Sequence, residues 1–177
     1  MRAQILELFQ QLAADLKLTC LFISHDLSVV EYMADRVAVM YVGKLVELAG
    51  TRDLYRSPQH PYTEALLSAV PVADPRRRSK RIVLEGDVPN PSNPPPGCSF
   101  HLRCRYARPV CAGETPPLRD VGNEHWVACH FAGELELRGL ALGTLSLVII
   151  STSWHASCWM CICYSFFAYS ELLADPD

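Results

Sequence analysis

The chain has 177 residues, enough for one domain of ordinary size or a small domain with appendages. Half of them are hydrophobic and a fifth are charged, which excludes a globally disordered chain. The 16 basic and 19 acidic side chains leave a net charge of −3, and within 1–139 the two signs cancel, which excludes a generally basic nucleic-acid binder.

Four stretches differ in composition: 1–50, 51–82, 83–138 and 139–177. In the first, Ile5, Leu6, Phe9, Leu12 and Leu16 recur at helical spacing, with Gln, Glu and Asp between them, and no apolar leader is expected. Leu18–Ile23 is a short apolar run suited to a buried parallel strand, with Cys20 inside it as a core residue. Asp26 is placed to cap a helix reaching Ala34, whose apolar side is Leu27, Val30 and Met33. Arg36–Tyr41 follows as a strand, Val42-Gly43-Lys44 as a turn, and Leu45–Leu48 as the returning arm. This order predicts an α/β fold with a parallel sheet and right-handed crossovers.

In 51–82, Thr51 is the expected N-cap of a short helix to Tyr55. Tyr62–Val70 reads as a second helix, with Leu66 and Leu67 inward, and 76–81 is a basic run suited to a solvated link or a phosphate contact. Five prolines in 89–96 make the next segment extended.

Two sets of residues carry chemistry. His25 stands in a strand-to-helix turn, where open α/β sheets bind ligands, and it can hydrogen-bond a phosphate or an attacking water. A histidine satisfied by Asp26 at a helix start is the plainer alternative. The second set is Cys98, Cys104, Cys111 and Cys129, four thiols in a loop-rich segment with the spacing C-x5-C-x6-C-x17-C. Two disulfides, a four-thiolate zinc site and an iron–sulfur cluster all remain open. Zinc is weakened by the lack of a tight C-x2–4-C knuckle, whereas clusters accept wider spacing. Gly97 permits close backbone approach, and Arg103 and Arg105 are placed to offset thiolate charge, with solvent exposure the alternative for Arg105. His101, His125 and His130 are expected to pack or face solvent rather than to ligate.

Three words then acquire a common meaning. Leu21-Phe-Ile-Ser-His-Asp-Leu27, Ala34-Asp-Arg-Val-Ala-Val-Met-Tyr41 and Gly43-Lys-Leu-Val-Glu47 resemble the end of an ABC-transporter nucleotide-binding domain. Ser57-Pro-Gln-His-Pro-Tyr-Thr-Glu-Ala-Leu-Leu67, Val88-Pro-Asn-Pro91, Pro96–Cys104 and Val127-Ala-Cys-His130 resemble the extension of the oligopeptide and dipeptide importers. The resemblance covers about 2–138. It implies an incomplete C-terminal portion of an ABC ATPase core in 1–50, a helical linker in 51–82 and a loop-rich Cys-containing extension in 83–138. It also implies that His25 is the switch histidine at the ATP γ-phosphate, and that Cys98, Cys104, Cys111 and Cys129 hold a [4Fe–4S] cluster. A reducing compartment then disfavours disulfides. The implied partners are a second ATP-binding subunit, membrane permeases and, indirectly, a peptide-binding protein. The implied place is the cytoplasmic face of the membrane.

No G-x4-G-K-[ST] occurs in the sequence, and neither the family's Ser-Gly-Gly-Gln-type signature nor its Asp-Glu strand is present. ATP and magnesium are therefore expected only in the complete family protein, and this chain alone is expected to be a fragment without ATPase turnover. Residues 139–170 contain no charged side chain, and Cys158, Cys161 and Cys163 fall outside the upstream pattern. This tail is expected as an aberrant extension, with a membrane anchor and a partner-binding tail as alternatives. The rival functions are a non-enzymatic metal-binding interaction module in 83–133 and a membrane-anchored regulatory protein.

Overall fold

The computed structural model describes residues 2–70, 81–140 and the backbone of 159–163. The basic run before Arg81, Cys158 and the rest of the tail beyond Leu140 lie outside the described residues, as do the side chains of Cys161 and Cys163. Helix α1 (Arg2–Asp15) leads to strand β1 (Leu21–Ile23) and helix α2 (Leu27–Met33). The apolar positions of α1 recur as read from the sequence, yet Ile5, Leu8, Phe9, Leu12 and Leu16 are exposed or only half-buried. Asp26 caps α2 as expected, its Oδ1 accepting from the N–H groups of Ser28 and Val29 at 3.0 and 3.3 Å. Leu27, Val30 and Met33 are the buried face of that helix.

Strands β2 (Arg36–Tyr41) and β3 (Lys44–Gly50) form a hairpin across Val42 and Gly43, both with positive φ, the twist that a two-residue connection favours. Helices α3 (Thr51–Arg56) and α4 (Pro61–Ser68) follow. Thr51 is not the N-cap expected: it is the first helical residue after Gly50, and its hydroxyl donates to the carbonyl of Ala34 instead. The extension then holds a 3-10 turn (His101–Arg103), α5 (Pro109–Gly113), β4 (Arg119–Asp120) and β5 (Trp126–Val127), and the tail supplies β6 (Trp159–Cys163).

The sheet is mixed, in the order β1-β6-β2-β3-β5-β4, which corrects the parallel sheet expected. The tight hairpin turns β3 antiparallel to β2, and β5 and β4 of the extension continue antiparallel from β3. The parallel part is β1, β6 and β2: α2 crosses a gap of one strand between β1 and β2, and β6 fills it. The tail contributes to the sheet. Its backbone enters the sheet at 159–163, and the Leu140 N–H donates to the Tyr55 carbonyl at 2.8 Å. Among the described residues, no helix is long and apolar enough to cross a membrane.

One core joins α2, β2, β3, α3, α4 and the extension. Val37, Val39 and Tyr41 of β2 meet Leu27 and Val30 of α2, Leu54 and Tyr55 of α3, and Tyr62 and Leu67 of α4. Phe100 of the extension inserts beside Tyr41 and Tyr62, with ring centroids 5.1 and 5.3 Å away. Tyr55 is fully buried, and its hydroxyl donates to the Leu27 carbonyl at 2.6 Å, which ties α3 to the start of α2. Tyr55→Phe removes that tie and should cost about 1 kcal/mol in a denaturant melt, the usual net scale of one hydrogen bond.

Candidate metal centre

The site is assembled around a flaw in β3. Register passes from Val39 opposite Glu47 to Met40 opposite Leu45, so Val46 is one residue too many on its strand. Such a bulge re-aims the side chains beside it. Val46 and Glu47 are consecutive and both buried, which regular alternation does not allow. The Glu47 carboxylate is fully buried and accepts three hydrogen bonds: from Gln59 N–H at 2.6 Å, His60 N–H at 3.1 Å and His125 Nε2–H at 2.7 Å. A buried acid is tolerable only when satisfied in this way. The three donors come from the α3–α4 connection and from the extension. Beside them β5 pairs with β3 at Glu47–Val127, and Ala128 N–H donates to the Val46 carbonyl, which delivers Cys129 to the edge of the core.

A second buried acid, Glu64 of α4, gathers the other side. Its two oxygens lie 2.9 Å from Arg105 Nη2, Tyr106 OH donates to Oε2 at 3.1 Å, and Arg138 N–H donates to Oε1 at 3.1 Å. Arg105 and Tyr106 directly follow Cys104, so Glu64 fixes that turn. The expected arginines are held by other groups: half-exposed Arg105 serves Glu64, and Arg103 donates to the carbonyls of Leu84 and Glu85. Between these anchors, Cys98 N–H donates to the Cys111 carbonyl at 2.8 Å. Gly97 has φ +71°, and a Cβ there would collide with that same carbonyl, so the position demands glycine.

The four cysteines of the sequence reading line one cavity without converging. Cys98, Cys104, Cys111 and Cys129 line one small cavity of about 20 Å³, closed by Pro61, Phe100, Phe131 and Leu135. All are free thiols, and no disulfide links the described cysteines. The donor set is wholly sulfur in an apolar shell, which suits a thiophilic metal. Among the described residues, however, no three His, Cys, Asp or Glu side chains converge as a single ion requires. Room for roughly one water also means that a larger group must part the walls. Burial pushes the thiols of Cys98, Cys104 and Cys129 up, Cys104 to about 11, and each further thiolate nearby adds to the effect.

Three histidines share the cavity wall, of which the sequence reading considered two. His101 Nδ1–H donates to the Cys98 carbonyl at 2.8 Å and His130 Nε2–H to the Glu114 carbonyl at 3.0 Å. The third, His60, is almost completely buried and caps α4, its Nδ1 accepting from Tyr62 N–H at 3.1 Å. Burial pushes its imidazolium down to about 3, so the ring is neutral. His125 packs, as expected, against Glu47. His25 is exposed in the turn between β1 and α2 and does not line the thiol cavity. Glu47, Glu64 and His60 were missed as site residues. The signal available was a charged residue within an apolar arm, Leu45-Val-Glu-Leu48, and a His-Pro at a helix start.

Comparison with known proteins finds related sequences. Residues 46–111 match the family described as the oligopeptide/dipeptide transporter C-terminal region. The chain is 52% identical over 131 residues to the oligopeptide transport ATP-binding protein AppF of Bacillus subtilis, which covers 73% of this chain and 40% of that relative. A putative peptide import ATP-binding protein of Brucella ovis is 53% identical over 128 residues, covering 72% and 40%. A probable peptide ABC transporter ATP-binding protein of Sinorhizobium fredii is 47% identical over 149 residues, covering 82% and 42%. The chain spans about two fifths of the length of these relatives.

The raised Cys104 thiol has a consequence for the metal-free chain. The fold holds it protonated, while the unfolded chain releases the proton near pH 9.0. Its contribution to stability is complete below about pH 9 and is lost as pH rises through about 11. Thermal melts of metal-free protein should therefore fall across this window, and more steeply than those of Cys104→Ser. Parallel slopes in the two proteins would contradict the assignment.

Proposed function

The chain belongs to the ATP-binding proteins of oligopeptide/dipeptide ABC transporters, of which it carries the C-terminal region, and from that premise we propose that it serves a peptide importer as a thiolate metal module fastened to the end of an ATPase core. The observation that carries the module is the single cavity shared by Cys98, Cys104, Cys111 and Cys129. The proposed group is a [4Fe–4S] cluster. Two features support it: the wide, irregular spacing of the four thiols, and their share in the lining of one cavity. When bound, such a group cross-links four positions of a loop-rich segment and supplies cohesion that its small apolar core lacks. The chain's own residues hold the ligands in place: Glu47 through His125 and β5 for Cys129, Glu64 through Arg105 and Tyr106 for Cys104, and the Cys98–Cys111 backbone bond for the remaining pair.

His25 is proposed to contact the γ-phosphate of ATP, with magnesium, in a complete ATP-binding subunit. Its exposed position at the C-terminal end of β1 supports that role. The phosphate-cradling loop must come from residues other than these 177, because no P-loop occurs among them. The proposed partners are a second ATP-binding subunit and the permeases, at the cytoplasmic face of the membrane, with a peptide-binding protein acting indirectly.

Zinc is the second reading, and the cavity of about 20 Å³ favours it, because one ion needs only inward movement of the thiols. Elemental and sulfide analysis of the full chain purified without oxygen separates the two. The cluster predicts about four iron and four sulfide per chain, lost in a serine variant of any of the four cysteines. One zinc with no sulfide would replace the cluster by the ion. A chain holding neither metal would overturn the module.

A further inference from the structure

We propose that Cys98 and Cys111 are a redox pair that closes as a disulfide in the metal-free chain, by exchange with a low-molecular-weight disulfide. The step uses two sulfurs of the thiol cavity and needs no bound metal. The backbone has already brought the pair together. Cys98 N–H donates to the Cys111 carbonyl at 2.8 Å. With standard bond lengths, such a bond holds the two Cα atoms within about 6.7 Å of each other, inside the range that disulfides span. The two segments are fastened beside it as well. Thr115 Oγ1 donates to the Gly97 carbonyl at 3.1 Å, and a Cβ at Gly97 would collide with the Cys111 carbonyl. Both cysteines line the same cavity of about 20 Å³, which leaves room for little more than one water between its walls.

Cys104 and Cys129 are placed differently. Cys104 N–H donates to the His101 carbonyl at 3.3 Å, and the Cys129 carbonyl accepts from Ala132 N–H at 3.4 Å, so these bonds stay within their own turns. Among the described residues no three His, Cys, Asp or Glu side chains converge, but a disulfide needs only two sulfurs. Cys98 is half-buried and Cys111 buried, so the reagent meets Cys98 first. The Cys98 thiolate attacks one sulfur of the reagent, breaks its S–S bond and releases one small thiol, leaving a mixed disulfide. The Cys111 thiolate then displaces the second small thiol, and the Cys98–Cys111 bond forms. Two protein thiols are oxidised, one small disulfide is reduced, and the two thiol protons leave on the released thiols. In a reducing compartment such a bond is transient and reports oxidation. It also withdraws two of the four sulfurs, so oxidation and metal loading exclude one another.

The test uses the full chain, stripped of metal with a chelator, reduced, and then treated with glutathione disulfide without oxygen. After acid quenching and alkylation, mass spectrometry counts the links among the four cavity cysteines, with the same reaction in concentrated urea as reference. In the unfolded chain, loop closure favours the nearer neighbours, Cys98–Cys104 and Cys104–Cys111, by about two- to threefold over Cys98–Cys111. Under native conditions Cys98–Cys111 should exceed each of those links by roughly tenfold or more, because pairs outside the allowed geometry are strained. A native ratio equal to the ratio in urea, links mainly to Cys104 or Cys129, a mixed disulfide that goes no further, or four thiols that stay reduced would each overturn the proposal. A chain that takes up no metal overturns the metal module instead and leaves the pair standing.

Discussion

The carboxylate of Glu47 is where three separate parts of the chain meet. It sits fully buried in β3 and binds the backbone of Gln59 and His60 before α4 and the ring of His125 before β5. Removing a charge from water is costly, and here the cost is offset only when all three donors are in place. The same requirement therefore fixes the linker and the extension against the sheet. His60, so placed, starts α4, which carries Glu64 to the turn of Cys104. Val127, so placed, carries Cys129. The cavity of four thiols is a consequence of these two acids as much as of the cysteines.

The raised thiols show the other side of the arrangement. Burial makes the thiolates of Cys98, Cys104 and Cys129 costly, and neighbouring thiolates add to that cost. In the proposed module a metal centre would reverse both effects, because it would supply positive charge where solvent is excluded. The apolar wall of Pro61, Phe100, Phe131 and Leu135 would then keep solvent out, and the backbone lock at Gly97 and Cys111 keeps two of the thiols adjacent. Phe100 takes part in both halves of the design. It closes the cavity and packs between Tyr41 and Tyr62 of the core.

Much of this was legible in the sequence. The buried faces of α2 and β2 follow from spacing alone, because Leu27, Val30 and Met33, and then Val37, Val39 and Tyr41, obey simple periods. The four cysteines announce themselves by type and by their crowding in a proline-rich segment. Other features obey no local rule. The bulge at Val46 turns an acid inward at a position that regular alternation gives to solvent, and only pairing with β2 reveals it. His60 lies between Pro58 and Pro61, where no periodic pattern signals burial, and its burial depends on the extension folding back. The entry of 159–163 between β1 and β2 joins residues more than a hundred positions apart, beyond the reach of any periodic signal.

If Glu47 is the fastening, the metal-free chain should show it directly. The measurement is the alkylation rate of each cysteine under native conditions, mapped by mass spectrometry, in Glu47→Gln against wild type. The account predicts that Cys98, Cys104, Cys111 and Cys129 all become reactive together, roughly tenfold faster or more, the scale of one lost charge-assisted hydrogen bond. Cys20 in the β1 approach should keep its rate as the internal reference. Four unchanged rates, or acceleration at Cys20 alone, would contradict the claim that this acid holds the thiols in one place.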